Sequence, residues 1–402
     1  MTSRPIASAA LVLVAAGAAL MSACGDSAVA ITSTPIPAAI GKTPSIDVVD
    51  IDQAAHLLYA ADRTDQGVDV FDISSPTAKY LRTIAMPASP NGLAIAPDLA
   101  RLFVGTSNGS VVIVNINTSS TAYGAVISEV RTGGHSVDLL EYGAARQRIY
   151  AANAFDGKLV SIDASTGAIM ATFTLGAVVL EQPRFDPADG MVYVTSPDAD
   201  TLYRIDPSTG TLKDKFTLGG CKPVGLAINP TTNKALIACH KYTLAFDLGA
   251  GKIIGTFALG NSDIVTYDSR VDRFFVASLP HAATPGSVGI FGGNPITYIS
   301  SAVTKISGNS AVYDETNKIV YTPDVQAKKA SLAGFAMPVP PSGWLAFLKA
   351  VWPYALILAV SVLLFAFLMR SADPIRRPVP APKRAPKTAA TQPNATDRPQ
   401  QA

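Results

Sequence analysis

PNGLAIAPDLARLFVGTSNGSVVIVNINTS, residues 90–119, contains three short apolar runs separated by turn residues. PNGLAIA, RLFVGT and SVVIVN are rich in β-branched and aromatic residues. Pro-Asp and Asn-Gly punctuate them, the pattern of antiparallel strands joined by tight turns. The middle run recurs as LLYAAD (57–62), RIYAAN (148–153), MVYVTS (191–196), ALIACH (235–240), RFFVAS (273–278) and KIVYTP (318–323). Its central residues are Tyr59, Phe103, Tyr150, Tyr193, Ile237, Phe275 and Val320, spaced by 44, 47, 43, 44, 38 and 45 residues. Seven copies at a period near 43 identify a repeat array.

Each copy keeps one internal order. A run such as HSVDLLEYG (135–143) or KPVGLAINP (222–230) precedes the marker. A third such as GVDVFDIS (67–74) or YTLAFDLG (242–249) follows it. A fourth such as AIMATFTLG (168–176) comes after an Asp-x-Ser-Thr-Gly turn. Four antiparallel strands per repeat predict an all-β fold, a seven-bladed β-propeller over residues 44–337. A lone four-stranded sheet buries neither face, whereas seven stacked around an axis bury both. The last repeat supplies three strands, so the segment 24–43 is expected to contribute the ring-closing strand from AVAITSTPIPAAI (28–40).

The repeats resemble the YVTN-repeat β-propellers of exported bacterial proteins. PNGLAIAPD and PVGLAINP match the first-strand pattern of that family, and YAAN (150–153) and YVTS (193–196) match its second-strand motif. The resemblance covers about 290 residues. It implies the fold but no single chemistry, because such propellers include binding proteins, scaffolds and quinoprotein-like enzymes.

Residues 1–23 have the layout of an export signal: Arg4, an apolar run from Ile6 to Met21, then small residues. Met21-Ser22-Ala23-Cys24 resembles a bacterial lipobox, with methionine in place of the usual leucine, so Cys24 is the expected lipidation site. Residues 338–349 form a Pro-rich linker. Residues 350–369 are twenty without a charge, the length of a transmembrane helix. Residues 370–402 hold seven basic residues, two acidic ones and seven prolines, and are expected to be a disordered tail. The positive-inside rule puts that tail in the cytoplasm and the propeller on the periplasmic or extracellular side of the bacterial cytoplasmic membrane.

The 402 residues carry 32 Lys+Arg against 30 Asp+Glu, too even for nucleic-acid binding through phosphate neutralisation. Cys221 and Cys239 fall at one end of a predicted hairpin and are expected to form a disulfide in an oxidising compartment. There is no Cys-x-x-Cys-His and no Walker-type loop, and both tryptophans, Trp344 and Trp352, lie near the C-terminus. The Asp-rich turns read as self-capping turns, not calcium sites. No cofactor, metal or catalytic set is expected.

In a propeller the loops between second and third strands and between blades share one end. That end is the candidate binding face. Near the channel mouth it should carry Asn91, His135, Gln182, Arg184, Lys222, Asp263 and Asn309. Farther out it should carry Arg63, Asn153, Phe155, Asp156, His240, Tyr242 and His281. The histidines belong to different blades, which argues against a shared metal. The functional expectation is a non-enzymatic scaffold or accessory subunit of a membrane complex, touching membrane lipid and a membrane-protein partner. The alternatives are a lactonase- or dehydrogenase-type enzyme using Arg184, His135 or Lys222, and a small-ligand sensor.

Overall fold

A computed structural model describes residues 30–37, 43–176, 178–281, 285–303, 308–326, 329–337, 351–352, 354 and 356–365. The chain divides into two compact units, Met1–Pro338 and Val339–Ala402. The first is a seven-bladed propeller of four-stranded antiparallel sheets. Blades 1 to 6 follow chain order and span residues 46–85, 90–131, 137–174, 183–217, 223–257 and 262–303. Blade 7 takes its three inner strands from residues 312–336, and its outermost is Ala30–Ile36, paired antiparallel with Lys329–Ala336. The N-terminal strand therefore supplies the missing edge.

The strand pattern follows from the stacking. The second and third strands of a blade, such as LLYAAD and GVDVFD, are buried along nearly their whole length because neighbouring blades cover both faces. Outermost strands such as VISEVR are mostly exposed. Seven apolar layers result, one between each pair of blades. Phe103, Val111 and Ile113 of blade 2 meet Leu140, Ile149 and Val160 of blade 3 in one of them. Each fully buried Val, Leu or Phe contributes about 1.5–3 kcal/mol.

The layer between blades 7 and 1 is built from Ile36, Phe71, Ile319, Tyr321 and Leu332, so closure is apolar as well as hydrogen-bonded. Polar contacts lock the same seam. Thr34 donates to Ala78 O at 2.7 Å, Asn317 Nδ2 to Ile73 O at 2.7 Å, and Gln53 Nε2 to Tyr313 O at 2.6 Å.

Two details explain sequence features. In the Asp-x-Ser-Thr-Gly turns, Asp163 Oδ1 accepts the backbone N–H of Ser165 at 3.1 Å and of Thr166 at 2.9 Å, and Gly167 takes φ +77°. Asp163 thus caps its own turn, and the Ser165 hydroxyl at 2.7 Å, then the Thr166 N–H, hold its carboxyl well below the usual range. In PNGLAIA and PVGLAIN the glycine sits where blades approach most closely. A Cβ on Gly92 would lie 2.1 Å from Asp138 O, and one on Gly225 would lie 2.0 Å from Asp263 O.

Cys221 and Cys239 are disulfide-bonded, with Cα atoms 5.4 Å apart, at the start of blade 5. In the second unit, helix is described at 351–352, 354 and 356–365, with exposed apolar side chains including Trp352, Leu358 and Phe365. The transmembrane helix expected over 350–369 is not found: among the described residues no helix is long and apolar enough to cross a membrane. Cys24, the linker 338–349 and the tail 370–402 lie outside the described residues.

Candidate functional site

The innermost strand of each blade lines the central channel, and a bulge recurs near its start. In blade 1 the register passes from Ile46↔Asp62 to Val49↔Ala60, three residues against two. The same shift occurs at Val137/Leu140, Pro223/Leu226 and Ser262/Val265. A bulge inserts one extra residue and re-aims its neighbours. In a plain strand, residues three apart face opposite sides. Here they face the same channel, and two tiers of side chains result.

The upper tier surrounds a cavity of about 290 Å³ lined by Asp47, Asp138, Glu181, Val224, Asp263 and Asn309, one residue from each of six blades. Arg63 reaches over the rim and pairs with Asp47. Its Nε donates to Asn91 Oδ1 at 3.1 Å, and its Nη2 lies 3.8 Å from Asp138 Oδ1. Asn309 Nδ2 donates to the other side of Asp47 at 2.9 Å. Asn91 is buried and spans to blade 3, donating to Val137 O at 2.9 Å.

Four carboxylates thus share one arginine. Burial raises the Asp47 carboxyl in spite of its ion pair with Arg63. Burial, then repulsion from Asp47, pushes Asp138 up to about 6 and Asp263 up to about 8. Burial, then repulsion from Asp138 and Asp263, pushes Glu181 up to about 9. Crowded like charges out of bulk water cannot all ionise. At neutral pH the mouth therefore holds protons on Glu181 and Asp263.

The lower tier lies three residues further along each strand. Asp50, Ala94, Glu141, Arg184, Ala227 and Thr266 line a second cavity of about 420 Å³. Arg184 Nη1 donates to Glu141 Oε2 at 3.0 Å and Nη2 to Val265 O at 3.3 Å. Burial pushes Glu141 up to about 7 and Asp50 up to about 6, against the pull of Arg184. Leu139 and Ile264 line both cavities, so an apolar waist separates them.

Gln182 braces that waist. Its Oε1 accepts Leu226 N–H at 2.7 Å and Val265 N–H at 3.2 Å, and its Nε2 donates to Val265 O at 3.2 Å. The inner strand of blade 4 is only Pro183–Phe185, and this buried side chain ties it to blades 5 and 6.

The expected binding face is therefore only partly gathered. Asn91, Asp263, Asn309 and His240 do meet at the upper mouth. Gln182 lies in the waist, and Arg184 belongs to the lower cavity instead. His135 is exposed and away from the mouth, its Nδ1 2.6 Å from Asp156 Oδ1. Lys222 is exposed, and its backbone N–H is held by Asp200 at 3.0 Å. Asn153 is buried and accepts from Thr132 at 2.8 Å, and Phe155 is 70% exposed. Tyr242 donates to Gly219 O at 3.1 Å, and His281 is exposed. The three groups named for the enzyme reading, Arg184, His135 and Lys222, do not share a pocket. No group of His, Cys, Asp and Glu suited to a metal ion occurs among the described residues.

Residues 124–261 match the family model described as outer membrane protein assembly factor BamB. No curated protein matches the chain. A solved chain titled "Crystal Structure of Mitotic Checkpoint Complex" superposes with a TM-score of 0.61 at 13% identity, over 76% of this chain and 92% of that one. That likeness concerns the fold alone.

Proposed function

We propose that this chain is an exported, membrane-tethered scaffold of the YVTN type whose upper channel mouth takes a basic side chain of a membrane-complex partner. The carrying observation is the upper tier, with four carboxylates around about 290 Å³ and one arginine to serve them. An ammonium or guanidinium entering there meets the carboxyl groups of Glu181 and Asp263, which burial and mutual repulsion hold above their ordinary range. Its arrival favours their ionised forms and releases protons.

Leu139 and Ile264 stand between the two cavities, and the catalytic groups of the enzyme reading stand apart, so recognition at one face suits the geometry. A repeat match to an assembly factor is in keeping with a scaffold. Export and tethering rest on the signal-like residues 1–23, the apolar stretch 350–369 and the basic tail. Lipidation of Cys24 would add a second anchor.

The test is gentle detergent extraction followed by native mass spectrometry. A stoichiometric membrane-protein partner is expected. A lone chain that turns over a lactone or an alcohol would overturn the reading.

A further inference from the structure

A second polar feature lies away from the channel, in a groove of about 560 Å³ between blades 3 and 4. Tyr150 lines it with no exposed surface, and its hydroxyl has no hydrogen-bond partner among the described residues. Tyrosines at the matching position in two other blades are satisfied. Tyr59 shares a bond with the Tyr123 hydroxyl at 3.1 Å, and Tyr193 donates to Asp189 at 2.7 Å. A buried unpaired hydroxyl costs about 1–3 kcal/mol and calls for an explanation.

The surroundings of Tyr150 are cationic and polar. Arg146 and Arg148 line the same groove, as does Ser161, the cross-strand neighbour of Tyr150. Arg148 gives Nη1 to Asp163 Oδ2 at 2.6 Å, so its charge is partly met. Arg146 is exposed, and among the described residues its side chain makes one long hydrogen bond, 3.5 Å to Gly190 O. Its guanidinium stands 5.7 Å over the Phe185 ring, which itself stacks on Tyr150 at 5.9 Å. Arg146 and Tyr150 thus line one groove and are linked through the Phe185 ring. Burial pushes the Tyr150 hydroxyl up to about 12 against the pull of both arginines, so it remains a donor at neutral pH.

Donors without acceptors specify an anion. We propose that this groove binds a small organic anion, a carboxylate or a phosphate, whose oxygens accept from Tyr150 and Arg146. The volume lies in the range of small-molecule sites. Pro207 and Met170 in the lining supply apolar contact for the remainder of such a ligand.

The test is isothermal titration calorimetry of the full chain in detergent with inorganic phosphate and with gluconate, at matched ionic strength in chloride. Saturable binding of either anion is expected, phosphate alone marking a phospho-ligand and gluconate alone a carboxylate. Arg146→Gln and Tyr150→Phe should each weaken binding at least tenfold. Without ligand, Tyr150→Phe should unfold at the wild-type temperature or above it, because it removes an unpaired donor. Failure of both anions to saturate, or variants that bind like wild type, would overturn the proposal. So would a Tyr150→Phe chain that unfolds earlier, since its hydroxyl would then have a partner within the fold.

Discussion

Replacing Asp263 with Asn removes one of four crowded carboxylates while keeping the side-chain shape. Folded Asp263 holds its proton up to about 8, whereas its ordinary value is 3.8. A carboxyl raised by folding contributes stability that is complete below about pH 4 and is lost as pH rises through about 8. At about 1.4 kcal/mol per pKa unit, the ceiling on that loss is about 6 kcal/mol. The mouth opens to solvent, and part of the rise is repulsion shared with Asp47 and Asp138, so a gain of about 1–3 kcal/mol is expected from the substitution at pH 9. At about 2 °C per kcal/mol for a chain of this size, Tm should rise by about 2–6 °C at pH 9 and by little at pH 5. Thermal unfolding of wild type and D263N at both pH values, with the disulfide intact, measures this. An equal shift at the two pH values, or a loss of stability at pH 9, would refute the crowded-carboxylate argument.

Gly92→Ala should lower stability by about 2–3 kcal/mol in chemical denaturation, because its Cβ would sit 2.1 Å from Asp138 O and force blades 2 and 3 apart. Replacing Cys221 and Cys239 by Ser should cost about 2–3 kcal/mol, the loop-closure contribution of a disulfide spanning 18 residues; unfolding with and without reductant measures it, and a reductant-insensitive wild type would contradict it.

The ring was legible in the sequence because each blade repeats the same physical requirement. The marker strands must be apolar on both faces, so Tyr59, Phe103 and Tyr150 recur at nearly constant spacing. The shortfall of one strand in the last repeat pointed to the N-terminal segment, which pairs there as Ala30–Ile36. The site was less legible. Asn91, Asp263 and Asn309 fall at the mouth as the loop positions predict, but Asp47, Asp138 and Glu181, which plain strand alternation does not place there, join them. For Asp47 and Asp138 the bulge is the reason, because it breaks the two-residue alternation by which a strand's facing is read; Glu181 precedes the short inner strand Pro183–Phe185. His135 occupies the loop position, yet it is Asp138 three residues later that the bulge turns inward. Arg184 stands one tier below its expected place because Glu181, three residues earlier, already occupies the upper one. A signal was present: Asp47/Asp50, Asp138/Glu141, Glu181/Arg184 and Asp263/Thr266 repeat polar pairs three residues apart at one position of blades 1, 3, 4 and 6. Only a fold that aims both members at one channel gives that spacing meaning. The unpaired hydroxyl of Tyr150 had no sequence signal, since Tyr59 and Tyr193 occupy the same repeat position and are satisfied by partners outside the motif.

The most direct test of the scaffold reading neutralises the upper tier and asks whether the complex survives. The triple variant D138N/E181Q/D263N should keep its fold, with Tm at or above wild type at pH 7.5, and should lose the stoichiometric membrane partner in native mass spectrometry after gentle extraction. A folded triple variant that retains the partner at wild-type stoichiometry would contradict the claim that the channel mouth is where this propeller binds.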